Sequence, residues 1–155
     1  MLVKQSGGRK ESAMPKMIFV NLPVRDVKKS TDFYLSLGAT KDERFSDETG
    51  SCLVFSDTIY VMALSHEKFA QFTTKEIADA RRTAQVLLCL SCDSSADVDE
   101  TVEKAAANGG NADPGPKQDY GFMYGRSFED LDGHIFEVMW MDVEAAMKTF
   151  GKEIA

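Results

Sequence analysis

From Met17 to Val24 the chain alternates, with Ile18, Val20, Leu22 and Val24 on one side of an extended segment and Phe19, Asn21 and Pro23 on the other. This is the period-two signature of a strand. The period then changes: behind Asp26, a residue type that caps helices, Val27, Phe33, Tyr34 and Leu37 recur at helical spacing until Gly38 stops the stripe. Three short strand patterns follow, about Thr40–Ser46, Ser51–Phe55 and Thr58–Leu64, separated by the turn signals Asp47-Glu48-Thr49-Gly50 and Ser56-Asp57. The first unit reads βαβββ.

From His66 to Arg82 the pattern is helical and charged, with Phe69, Phe72 and Ile77 as apolar positions, which suits a connection between units. The scheme then restarts. Val86–Cys92 reads as a strand, Asp93 or Ser95 as a cap, and Val98, Val102, Ala105 and Ala106 as a helical stripe ended by Gly109-Gly110. Asp113-Pro114-Gly115-Pro116 leaves room only for a short or irregular strand. Phe122–Glu129 and His134–Met141 read as strands joined by Asp130-Leu131-Asp132-Gly133, and a last short helix carries Val143, Ala146, Met147 and Phe150 inward. The expectation is an α+β fold of two βαβββ modules. Module one covers about 17–65, the connection 66–84, module two about 85–141, and the C-terminal helix about 142–150. Together they form a single domain over 14–155, behind a mobile leader or expression remnant at 1–13.

Length and composition agree with this. At 155 residues, 43% hydrophobic and 28% charged, the chain can bury about two-thirds of its unfolded surface without staples. Its 18 basic against 25 acidic residues, a formal charge of −7, repel phosphate backbones and anionic bilayers, so neither nucleic acid nor membrane is an expected partner. No run approaches a membrane span, and the cytoplasm is the expected compartment. Cys52, Cys89 and Cys92 are odd in number and read as free thiols. Cys89 and Cys92 have C-x-x-C spacing, but on a strand they fall on opposite faces and no second pair completes a zinc site, so the pattern predicts buried packing.

The duplicated unit, the string Val24-Arg25-Asp26-Val27-Lys28-Lys29-Ser30-Thr31-Asp32-Phe33-Tyr34 and the string Asp130-Leu131-Asp132-Gly133-His134-Ile135-Phe136-Glu137 together resemble the vicinal oxygen chelate superfamily. That family includes glyoxalase I, extradiol dioxygenases and fosfomycin- and bleomycin-resistance proteins. Tyr120–Phe128 resembles a bacterial subgroup labelled predicted lactoylglutathione lyases. The resemblance implies paired half-barrel mixed sheets around a cavity with helices outside, and a homodimer that often pairs units across chains. It also implies metal ligands on the first and last strands of both units.

Those positions correspond here to Phe19, to Met62 or Val61, to Val86 or Leu87, and to Glu137, of which only Glu137 is a hard-metal ligand. One ligand in four makes a poor catalytic metal site. His66 and His134 read as surface or capping residues. The expected cofactor is therefore none, or a divalent ion held through Glu137 in an unorthodox site.

Glu137 alternates with Phe136, Val138 and Trp140, so it should face the cavity with Met139 and Met141. It is either a desolvated catalytic base or polar anchor, or a carboxylate satisfied by a neighbouring donor. Asn21, beside Phe19, offers a donor and an acceptor for orienting a ligand. Tyr60, Met62, Tyr124 and Arg126 lie on strands near the expected cavity, where Arg126 either clamps an anionic substrate group or pairs with Glu137 or Glu129. Three functions fit: a metal-free module binding a small organic ligand, a lyase, isomerase or dioxygenase relying on Glu137, and a structural partner with a filled cavity.

Overall fold

The computed structural model describes residues 15–151. The expected leader at 1–13 lies outside them. Strand β1 (Ile18–Val24) runs into helix α1 (Val27–Ser36), and strands β2 (Thr40–Asp47), β3 (Gly50–Val54) and β4 (Ile59–Ser65) complete the first module. Asp26 accepts a hydrogen bond from the Lys29 amide at 3.0 Å, so the cap expected from the sequence starts the helix. The sheet order is β1-β4-β3-β2, with β1 parallel to β4 and the other pairs antiparallel.

The second module repeats the plan. Strand β5 (Leu88–Ser91) leads to helix α3 (Ser95–Ala107), followed by β6 (Asn111–Ala112), β7 (Gln118–Asp119), β8 (Met123–Glu129), β9 (Ile135–Met141) and helix α4 (Val143–Phe150). Its sheet runs β5-β9-β8-β6, again with the first strand parallel to the last, and β7 pairs with β8. The short, irregular strand expected near Asp113 is thus two fragments, because Pro114 and Pro116 donate no backbone hydrogen bond. Two mixed sheets carry helices on one face each, and neither closes into a barrel.

Three local readings change. The helix cap before α3 is Ser94, which accepts from the Asp97 amide at 3.1 Å, rather than Asp93 or Ser95. The connection is helical only at α2 (His66–Ala70), and residues 71–87 run as turns and irregular chain. Three apolar residues could not sustain an amphipathic face over that length. Residues of α4 expected to point inward are largely uncovered: Ala146 is buried, but Val143, Met147 and Phe150 are exposed.

The helix-bearing faces of the two sheets share one core. Phe33 and Tyr34 of α1 reach across to β8 and β9, with Tyr34 5.8 Å from Phe136 and Phe33 6.1 Å from Phe128, and Phe128 stacks on Phe136 at 5.3 Å. The Asp130–Gly133 turn locks the modules together. Asp132 accepts from the Arg25 amide at 2.9 Å, Asp130 accepts from the Tyr34 hydroxyl, and the His134 ring meets the Pro23 carbonyl at 2.8 Å. The two strings that carried the family resemblance therefore meet in space as a clasp between modules.

Candidate functional site on the open sheet faces

With the helices covering one face of each sheet, the opposite faces are left open. On module one the parallel register aligns Phe19 with Tyr60 and Asn21 with Met62, so all four side chains share the open face. Phe19 and Tyr60 stack at 4.6 Å, and Phe19 remains 48% exposed despite its size. The Tyr60 hydroxyl turns to the Asp57 carbonyl at 3.2 Å, and the Asn21 amide donates to the Phe19 carbonyl at 3.1 Å.

On module two the same register aligns Cys89 with Glu137. Glu137, Met139, Cys89, Met123 and Gly125 line a hollow of about 140 Å³, walled on one side by Gly115 and Pro116. The loop is held there by the Gly115 amide, which donates to the Ser127 hydroxyl at 3.2 Å. Among the described residues, the Glu137 carboxylate makes no hydrogen bond or ion pair. The neighbouring donor expected as one alternative for it is not found among them.

Two expected site residues lie elsewhere. Antiparallel pairing sets Arg126 opposite Val138 and Tyr124 opposite Trp140, so both project from the face that carries α3, away from Glu137. Arg126 is committed to Asp113, through Nε at 3.0 Å and Nη2 at 2.7 Å, and to Asp99 through Nη1 at 2.9 Å. It pairs with neither Glu137 nor Glu129. The Tyr124 hydroxyl donates to Asp99 at 2.6 Å. The Arg126 guanidinium holds the Asp113 carboxyl below the usual range, and the Tyr124 hydroxyl followed by Arg126 does the same for Asp99. This is a structural ion network rather than a substrate clamp. The hairpin register that sets Phe128 opposite Phe136 also sets Arg126 opposite Val138, a phase that alternation within β8 alone does not show.

Cys89 is the residue that sequence reasoning missed. Expected in buried packing, it is exposed on the open face, while Cys92 packs against the core, as strand alternation requires. Partial burial and then the nearby charge of Glu137 push the Cys89 thiol up, so it is neutral near pH 7. The strand starts at Leu88, so Val86 and Leu87 precede it, and Cys89 is the β5 residue that pairs with Glu137. On β4, Tyr60 pairs with Phe19 and Met62 with Asn21.

The side chains that the two parallel pairings bring together on the open faces are thus a phenyl ring, a phenol bonded to its own loop, a thiol and one carboxylate. This set does not fit a hard divalent ion, which takes mostly oxygen and imidazole donors. Among the described residues, no group of three His, Cys, Asp or Glu is arranged to hold a metal. A larger hollow of about 360 Å³ lies at the seam between modules under residues 73–86, lined by Leu22, Ile77, Val86, Leu88 and Ile135. It contains none of the expected catalytic or ligand-binding residues.

A duplicated βαβββ fold with open faces matched strand for strand defines a class of paired-module α+β proteins. The sequence profile described as the Glyoxalase/Bleomycin resistance protein/Dioxygenase superfamily matches residues 16–138, and the chain belongs to that family. Solved structures agree on the fold. A hypothetical protein, SA1046, from S. aureus is similar at 23% identity and TM-score 0.68, covering 83% of this chain and 95% of that one. A glyoxalase/bleomycin resistance protein/dioxygenase family enzyme from Burkholderia phytofirmans PsJN is similar at 21% identity and TM-score 0.66, with coverage of 82% and 99%. The fosfomycin resistance protein FosX from Listeria monocytogenes, solved with Mn(II) and sulfate, is similar at 18% identity and TM-score 0.63, with coverage of 89% and 99%. No curated protein matches the chain. Among the described residues, no helix is long and apolar enough to cross a membrane.

Proposed function

We propose that this protein is a cytoplasmic, metal-independent binding module that takes a small organic ligand on its open sheet faces. The observation that carries this reading is the Glu137 carboxylate, unpartnered among the described residues, in a hollow walled by Met123 and Met139, where the open-face residues Phe19, Tyr60 and Cys89 supply no further hard-metal donor set. Apolar walls with a few polar anchors are the usual make-up of small-molecule sites. At about 140 Å³ the hollow falls short of the roughly 300–1,000 Å³ such sites occupy, so a second surface must complete it. A homodimer supplies that surface if the open face of module one, with its exposed Phe19–Tyr60 stack, covers module two of the other copy.

Elemental analysis and a thermal-shift titration with nickel, zinc, manganese, iron(II) and magnesium test the metal-free reading, and sedimentation velocity tests the dimer. The expected result is a dimer with no stoichiometric metal and no saturating shift. One bound ion per chain would overturn the reading. A second reading, a lyase or isomerase with Glu137 as base, draws on the same unpartnered carboxylate beside the Cys89 thiol. Turnover that collapses in Glu137→Gln while the melting temperature holds would establish it over simple binding.

A further inference from the structure

Among the described residues, no basic side chain pairs with the Glu137 carboxylate. The side chains sharing its face are Ile135, Met139 and Met141 on β9, Met123, Ser127 and Glu129 on β8, Gln118 on β7, and Cys89 and Ser91 on β5, and none is basic. Arg126 also borders the hollow, but its guanidinium is directed to the other face and shared between Asp99 and Asp113 there. The Lys117 charge acts on the same two carboxylates, Asp99 and Asp113. The neutral Cys89 thiol contributes no positive charge. The chain as a whole is at −7, so its long-range field adds to the local one.

A ligand that fills the hollow removes water from this carboxylate, and a carboxylate loses heavily on desolvation unless an opposite charge replaces the water. A neutral or anionic occupant leaves that cost standing. The walls pose no such condition: the Met123 methyl lies 3.7 Å from where a Gly125 side chain would begin, and Met139 is equally close. Thioether walls over a glycine floor are deformable and polarisable, which suits varied apolar and aromatic bodies. We propose that the site selects amphiphilic organic cations, compact apolar or aromatic molecules bearing a protonated amine that seats on the Glu137 carboxylate. This rests on the binding reading above and names its ligand class.

The test is calorimetric titration of the full-length protein at pH 7 and low salt with three matched probes, 4-phenylbutylamine, 4-phenyl-1-butanol and 4-phenylbutyrate. The amine is expected to bind about tenfold more tightly than the alcohol, in the range of a partly buried ion pair, and the carboxylate most weakly. In Glu137→Gln the preference for the amine should vanish, and in Glu137→Asp, which keeps the charge, it should survive. Alcohol binding equal to amine binding, or a preference that persists in Glu137→Gln, would overturn the inference and leave the binding reading intact. Failure of all three probes to bind would sink both.

Discussion

The Tyr34 hydroxyl of the first helix donates to the Asp130 carboxylate in the last hairpin turn, 96 residues away and fully inside the core. Asp130 also accepts from the amides of Asp132 at 3.0 Å and His134 at 2.9 Å, so one buried carboxylate shapes the turn and joins the modules. Tyr34→Phe keeps the ring packing on Phe136 but leaves Asp130 short of a donor. The expected loss is about 1–3 kcal/mol in chemical denaturation, the cost of an unpaired buried polar group. An unchanged midpoint would show that the modules are held by packing alone.

The same contact predicts alkaline sensitivity. Burial, followed by the Asp130 charge, raises the Tyr34 hydroxyl well above the ordinary value of 10.0. Above about pH 10 the unfolded chain gives up this proton while the folded one keeps it. Stability therefore falls as pH rises, by up to about 1.4 kcal/mol per pH unit until the folded value is reached. Comparing wild type with Tyr34→Phe between pH 9 and 11 isolates the contribution. The wild type should decline more steeply, and parallel curves would contradict the assignment.

Arg126 is a structural residue, and its replacement should separate folding from binding. Arg126→Gln leaves Asp113 and Asp99 without their shared cation and should cost about 1–2 kcal/mol, limited because both carboxylates are partly exposed. Both have folded pKa values below the ordinary 3.8. Their stabilisation is present above that value and disappears as pH falls through the lower folded ones. The gap between wild type and variant should therefore narrow as pH falls below 3.8. Ligand affinity should not move, and a tenfold loss of affinity with normal stability would return Arg126 to the site.

Gly133 sits in the clasp at φ 95°, and a Cβ there would lie 2.8 Å from the Ala80 carbonyl oxygen and the Arg81 nitrogen. Gly133→Ala should destabilise by about 2 kcal/mol or more, combining left-handed strain with a backbone clash. Gly121, at φ 78° with open space around it, is the control. Gly121→Ala should cost about 1 kcal/mol from conformation alone. Equal losses in the two variants would mean that the close approach of the connection to Gly133 contributes nothing.

Local periodicity and punctuation were enough to read the element order, both βαβββ modules, the Asp26 cap and the inward set Phe136 and Val138, because these depend on residues within a turn or a strand of one another. They also placed Glu137 on the open face. The side on which Arg126 and Tyr124 lie depends on which residues of β8 face which of β9, and the exposure of Cys89 depends on a parallel partner some fifty residues away. Strand alternation is visible in one strand, but its phase relative to another is set only by pairing. Likewise the apolar stripe of α4 is legible, yet only the assembled chain shows that nothing among the described residues covers Val143, Met147 and Phe150. The sequence by itself thus determined which faces are apolar, while the tertiary structure decided which of those faces meet, since burial is a property of pairs of surfaces rather than of either one.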